Sequence, residues 1–234
     1  MKSIPTLLFF LISLFSFGQQ TIVESKVLTD SIIQTVFTDA TKKELGIRFP
    51  IFKAYEYTDK LGKHYLILTE NGNEKEVKET KNDTIKAFNV LSESNKLTIQ
   101  WTINDFKLKT NEISEETSIW FWSKYIELKD LDGDSIIDPI IIYGTSGSNG
   151  TGDGRIKILT YYKNSKYAIR HQNGELDFQR NTKVDKAFYE LPAKIQARVQ
   201  EVMAKIYEDN NAIFPAGWQG AMKNKKLAFD ENNK

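Results

Sequence analysis

The apolar residues of this chain change their period once, and the change separates a strand-forming part from a helix-forming part. From Ile51 to His171 they come in short β-branched and aromatic runs bounded by Gly, Asn, Asp, Ser and Lys. Ile51–Tyr57 and His64–Thr69 flank Thr-Asp-Lys-Leu-Gly and predict a hairpin. A Lys- and Glu-rich stretch from Asn71 to Asp83 predicts a protruding loop. Thr84–Leu91 and Lys96–Ile103 bracket a second turn, and Ser118–Leu128, Pro139–Tyr143, Arg155–Tyr162 and Tyr167–His171 follow. Successive strands on short turns predict an antiparallel meander.

Beyond these strands the spacing becomes helical. Val184, Phe188, Leu191, Ile195, Val199, Val202 and Ile206 recur every three or four residues. Pro192 divides the stripe into a short helix to Glu190 and a longer one with Pro192 at its first position. The stripe is the face expected to pack on the sheet. The fold class is therefore α+β, an antiparallel β-meander sheet packed by C-terminal helices.

The stretch from Thr21 to Gly46 carries two readings. Ile32, Ile33, Val36, Phe37 and Ala40 fit one helical face, with Asp30 or Ser31 as N-cap and Gly46 just past the end. Their β-branching equally allows a strand to Phe37 and then a short helix capped by Asp39, which is the favoured reading. The tail from Asn210 sets Phe214, Trp218 and Phe229 among Gly, Lys and Asn, as an ordered arm or a frayed end. Residues 1–18 read as a signal peptide, 19–209 as a single domain and 210–234 as the tail. In the first segment Lys2 precedes the apolar run Leu7–Phe17, and Ser16 and Gly18 form the cleavage site. Export to the periplasm or beyond is expected, and no later apolar run reaches the ~20 residues of a membrane-spanning helix. The chain has no cysteine, which excludes a lipid-modified cysteine and disulfides. Without Lys2, 31 basic residues face 31 acidic ones, a balance that argues against a nucleic-acid partner.

The most informative chemistry lies in Lys-Asp-Leu-Asp-Gly-Asp-Ser-Ile-Ile-Asp, residues 129–138. Asp130, Asp132 and Asp134 sit two apart, and Asp138 follows four later. Alternate hard oxygens in a tight loop suit calcium, which takes roughly 6–8 of them. The expected ligands are Asp130, Asp132, Asp134, the Ile136 carbonyl and Asp138, the last directly or through water. The match to an EF-hand is incomplete, since Ser135 replaces its glycine and Ile141 its final Glu. The loop runs into the apolar strand Pro139–Tyr143 instead of a helix, and it resembles the calcium loops of FG-GAP-type β repeats. It occurs once, so a propeller of such repeats is excluded. The alternative is a solvated acidic turn.

Other segments carry weaker signals. Gly144–Gly154 holds five glycines and reads either as a flexible connection or as a rim beside the metal with Asp153 as an extra ligand. It lacks the Gly-Lys-Ser/Thr ending of a phosphate-binding loop. His171, Glu175 and Asp177 share one strand face if that strand continues, and paired carboxylates are what glycosidic cleavage requires. Surface charge is the commoner explanation for them, and His64 reads as structural. Trp120 and Trp122 share a strand face, with Trp101 on an earlier strand, and core packing outweighs sugar stacking for them.

Five segments in combination resemble a family of exported proteins from Bacteroidetes-type bacteria labelled surface polysaccharide biosynthesis proteins. They are Gly46–Tyr55, Asp130–Tyr143, Asp153–Tyr162, Arg170–Asp177 and Val184–Pro192. The resemblance implies a role in producing or displaying surface glycan and assigns no catalytic residue. Two function classes follow, with surface glycan or envelope proteins as partners. One is an exported, calcium-stabilised protein without enzymatic activity. The other is a hydrolase or lyase on exported glycan using His171, Glu175 and Asp177 or the metal. A protein-interaction module in the envelope is a third reading.

Overall fold

A strand that meets core on both faces has no reason to alternate, and Tyr65–Leu68 and Ile140–Tyr143 are apolar without a break. In the computed structural model, which describes residues 24–72, 74–75, 80–94, 96–108 and 115–232, both runs are buried on both sides. The expected leader, residues 1–18, lies outside the described residues.

The first sheet is built from β1 (Glu24–Val27), β2 (Ile51–Asp59), β3 (Gly62–Glu70), β6 (Thr84–Glu93) and β7 (Lys96–Phe106), in that spatial order. Between β3 and β6 the expected protrusion pairs β4 (Glu74–Lys75) with β5 (Thr80–Lys81). The second sheet holds β8 (Ser118–Phe121), β9 (Ile140–Ser146), β10 (Arg155–Tyr162), β11 (Ser165–Gln172), β12 (Asn181–Val184) and β13 (Ala228–Asp230) as neighbours in sequence order. All pairings are antiparallel, as the meander pattern requires. The single sheet expected from the sequence is corrected to two stacked sheets.

Side-chain alternation sorts the core into three layers. Tyr55, Leu66 and Leu68 of the first sheet meet Ile141, Tyr143 and Leu159 of the second. On the outer face of the first sheet, Tyr65, Ile67 and Phe88 pack with Ile33 and Phe37. On the outer face of the second, Ile140, Ile142 and Ile158 pack with Ile195, Val199 and Ile206. The chain is thus layered helix, sheet, sheet, helix.

The N-terminal helices are α1 (Asp30–Val36) and α2 (Asp39–Glu44). A helix therefore stands where a strand to Phe37 was favoured. Ile33 and Phe37, four apart, both turn toward the sheet, and this tertiary demand overrides β-branched preference. The caps are Thr29 and Thr38, one residue before the expected aspartates. Gly46 stands past α2 at φ +68°, the left-handed conformation expected there.

The chain leaves β8 after Phe121 for a 3₁₀ turn, Ser123–Tyr125, so the strand expected to Leu128 is cut short. Lys186–Glu190 is likewise 3₁₀, and Pro192 is the N-cap, not the first residue, of α3 (Ala193–Glu208). The tail builds α4 (Trp218–Lys223) and then β13, which pairs Phe229 with Thr182. Phe214, Trp218 and Phe229 are all buried in the outer core of the second sheet. The glycines between β9 and β10 are packing residues as much as hinges. A Cβ on Gly144 would lie 2.6 Å from the Trp122 ring, and one on Gly154 would lie 1.8 Å from the Thr145 carbonyl oxygen.

Val199 is fully buried on the α3 face. Val199→Asp places an unpaired charge there and is expected to cost about 3–5 kcal/mol. A denaturant melt of the variant checks this, and an unchanged midpoint would mean that α3 does not seal the second sheet.

Candidate functional site

The acidic loop starts where β8 and β9 are drawn together. A lone bridge joins Glu127 to Ile140, and Asp138 N–H donates to the Lys129 carbonyl at 2.8 Å, closing the loop at its base. Inside, the carboxylates accept backbone N–H groups. Asp130 takes those of Gly133 (2.7 Å) and Ser135 (2.9 Å), and Asp132 takes that of Asp134 (3.1 Å). Asp134 takes that of Ile136 (2.9 Å), and Asp138 that of Leu131 (3.0 Å). Gly133 and Ser135 are left-handed, at φ +93° and +68°. Ser135 thus adopts the conformation for which EF-hand loops use glycine.

One carboxylate oxygen from each of Asp130, Asp132 and Asp138 lies within 4.8 Å of the others. Of the five expected ligands, these three carboxylates come together; Asp134 is outside that group and its carboxylate folds onto Ile136 N–H. Asp138 is 1% exposed. Burial first, and then the charges of Asp132, Asp134 and Asp130, push its carboxyl up to about 7.

The loop also reaches the first sheet. Ile137 N–H donates to Asp59 at 3.1 Å, and Lys60 N–H donates to the Ser135 carbonyl at 2.8 Å. The same Asp59 accepts Leu61 N–H at 2.8 Å and stands 3.4 Å from His64 Nε2. Burial works against its charge, but the His64 ring and the Ile137 and Leu61 N–H groups outweigh it and hold the carboxyl below its ordinary value. His64 stacks on Tyr57, centroids 4.8 Å apart, as a buried structural residue. Sequence reasoning missed Asp59. Its signal was an Asp in a hairpin turn, which says nothing of a partner 78 residues away.

Two other expectations are corrected. Asp153 does not join the metal group: the acidic loop and the glycine turn lie at opposite ends of β9, about 20 Å apart along a strand of this length. Its carboxylate accepts Asn149 N–H at 3.0 Å. His171, Glu175 and Asp177 do not share a face, because β11 ends at Gln172 and the chain turns away. His171 is buried between Thr182 (2.9 Å) and Asn173 (2.8 Å), whereas Glu175 and Asp177 are exposed and Asp177 pairs with Arg180. The tryptophans pack as core residues: Trp122 is buried, Trp101 stacks on Tyr161 at 3.6 Å, and Trp120 packs against the outer core while its half-exposed side lines an open cleft.

The geometry defines a two-sheet α+β protein with an acidic loop at the junction of its sheets. Comparison with protein-family models, with curated proteins and with solved structures returns no match for this chain.

Burial pulls the His171 imidazole down to about 4. The unfolded chain titrates near 6.5 and so binds the extra proton between these values. His171 therefore supplies stability that is complete above pH 6.5 and is lost as pH falls toward 4, about 3 kcal/mol in all. Denaturation midpoints of wild type and His171→Gln across that window are expected to converge at low pH. A constant gap between the two curves would contradict a buried neutral imidazole.

Proposed function

We propose that the chain is a calcium-binding envelope protein without enzymatic activity, in which the ion fastens one end of a two-sheet sandwich. The observation that carries this reading is the convergence of Asp130, Asp132 and the buried Asp138 within 4.8 Å. Two unit charges at such a separation repel by about 3–4 kcal/mol at an effective dielectric of 20. A divalent cation turns that repulsion into attraction. All the donors are hard oxygens on an irregular loop, which suits the flexible coordination of calcium better than the octahedral demand of magnesium. Three carboxylates without a final bidentate Glu fit a Kd of roughly 10⁻⁴–10⁻³ M, the range of extracellular modules. Export and a role in producing or displaying surface glycan rest on the sequence alone. The hydrolase reading loses support from a His171 that faces neither Glu175 nor Asp177.

Thermal melts with millimolar calcium or with chelator test the proposal. At 1 mM calcium and that Kd, binding to the folded state alone adds about 0.4–1.4 kcal/mol. Calcium is expected to raise Tm and chelator to lower it. Asp132→Ala is expected to abolish the shift and Glu175→Ala to preserve it. A Tm indifferent to both additions, with no calorimetric heat at millimolar calcium, would reduce the loop to a solvated turn.

A further inference from the structure

The opposite end of β9 carries a second feature, which the cation does not explain. An open cleft of about 710 Å³ lies there between the ends of the two sheets. The first sheet supplies Phe52, 48% exposed, and the second supplies the half-buried Trp120. Trp120 packs on the outer core of the second sheet, its ring 6.1 Å from that of Trp122, and its remaining surface and the Phe52 ring give the cleft apolar faces in water.

The polar lining is fixed in advance. Glu70 accepts Phe121 N–H through one oxygen and the Asn82 side-chain amide through the other, both at 3.0 Å. Asn82 is 2% exposed, accepts Gly72 N–H at 2.8 Å and donates its own N–H to Ser118 Oγ at 3.0 Å. A carboxylate has about four lone-pair sites, so Glu70 keeps acceptor capacity after two bonds. Hydroxyls of Thr117, Ser146 and Thr151 complete the wall.

A second cleft, of about 650 Å³, adjoins the first and shares Ser148 with it. It is lined by the Asn149 side chain, by Gln172 and Gln179, whose amides are held by backbone bonds to Asn173 and Leu176, by Asp153 and Glu175, and by the Phe178 ring, which is 74% exposed. The crest between the clefts is the glycine turn, where a Cβ at Gly150 or Gly152 would meet nothing within 4 Å. A ligand can therefore cross the turn from one cleft into the other.

Rings, amides, hydroxyls and a held carboxylate in one trough match a molecule that alternates C–H faces with hydroxyl edges. A polyanion or nucleotide would want several cations, and among the described residues Lys81 is the one basic residue lining either cleft. A peptide adding as a strand would want free backbone, but Ile119 N–H is taken by Asn82 and Thr117 N–H by Ser146. We infer that the paired clefts bind an uncharged oligosaccharide, with Trp120 and Phe52 stacking on one sugar and Phe178 on another beyond Ser148. This site stands apart from the cation loop and does not rest on it.

Calorimetry with neutral hexasaccharides of β-1,3-glucan, β-1,4-glucan, α-1,4-glucan and mannan tests the inference, with oligogalacturonate and a random heptapeptide mixture as contrasts. At least one neutral hexasaccharide is expected to bind. Trp120→Ala is expected to weaken it about tenfold and Trp120→Phe much less. Phe52→Ala, at an exposed position, is a second variant whose folding is not at issue, and it too is expected to weaken binding. Phe178→Ala is expected to weaken the hexasaccharide but not the matching disaccharide. The sugar is expected to bind equally with millimolar calcium and with chelator, so failure of the calcium reading leaves this result intact. Binding only of the acidic chain or the peptides, no binding at millimolar sugar, or indifference to both Trp120→Ala and Phe52→Ala would overturn it.

Discussion

A carboxyl taken out of water sets the terms for one end of this molecule. Asp138 is buried at the foot of β9, with Asp130 and Asp132 turned toward it. Left alone, the three charges resist the loop closure that the Asp138 N–H to Lys129 bond imposes. Closure thus depends on what neutralises them, a proton on Asp138 or a cation among all three. The choice matters beyond the loop, because Ser135 and Ile137 are the residues through which the first sheet is held. A loop that opened would release the Asp59 turn as well.

Much of the fold is visible in the sequence because strands and turns are local. The hairpin around Asp59, the β6–β7 pair and the β10–β11 pair follow from apolar and β-branched residues, in runs or interleaved with polar ones, between turn residues. The division into two sheets is not local. A strand that pairs with its predecessor and a strand that folds over to pack against it read alike, and only the unbroken apolar runs Tyr65–Leu68 and Ile140–Tyr143 hint at burial on both faces. The tail hides for a similar reason. Phe229 is one aromatic in a polar stretch, and it becomes a core residue only once β13 finds the edge of β12.

The candidate sites divide in the same way. Spacing identified Asp130, Asp132 and Asp138, but alternation cannot show which of four carboxylates, all accepting loop N–H groups, also converge, and Asp134 stays outside the group. The face-sharing rule failed at His171 because it assumes a strand. The chain instead turns at Gly174, where a Cβ would strike Gln179 at 2.3 Å. Asn173 follows His171 by two residues and takes the imidazole for the interior, together with the Ile213 N–H.

The two ends of the sandwich follow one logic. An apolar core between sheets stops where the strands stop, and the chain there carries backbone groups that need partners. At one end Asp59, Lys60, Ser135 and Ile137 supply them. At the other, Glu70 of the first sheet accepts Phe121 N–H, and Asn82, in the turn before β6, accepts Ile119 N–H and donates its own to Ser118 Oγ. Between them further polar ties cross, such as Lys157 to Asp105 at 2.5 Å. Both candidate sites therefore fall where buried polar side chains join the sheets. Such groups are already desolvated and held in place, so a ligand that meets them gives up little order to bind. The acidic end has charge to spare and suits a cation. The glycine-turn end has rings and amides to spare and suits an uncharged sugar.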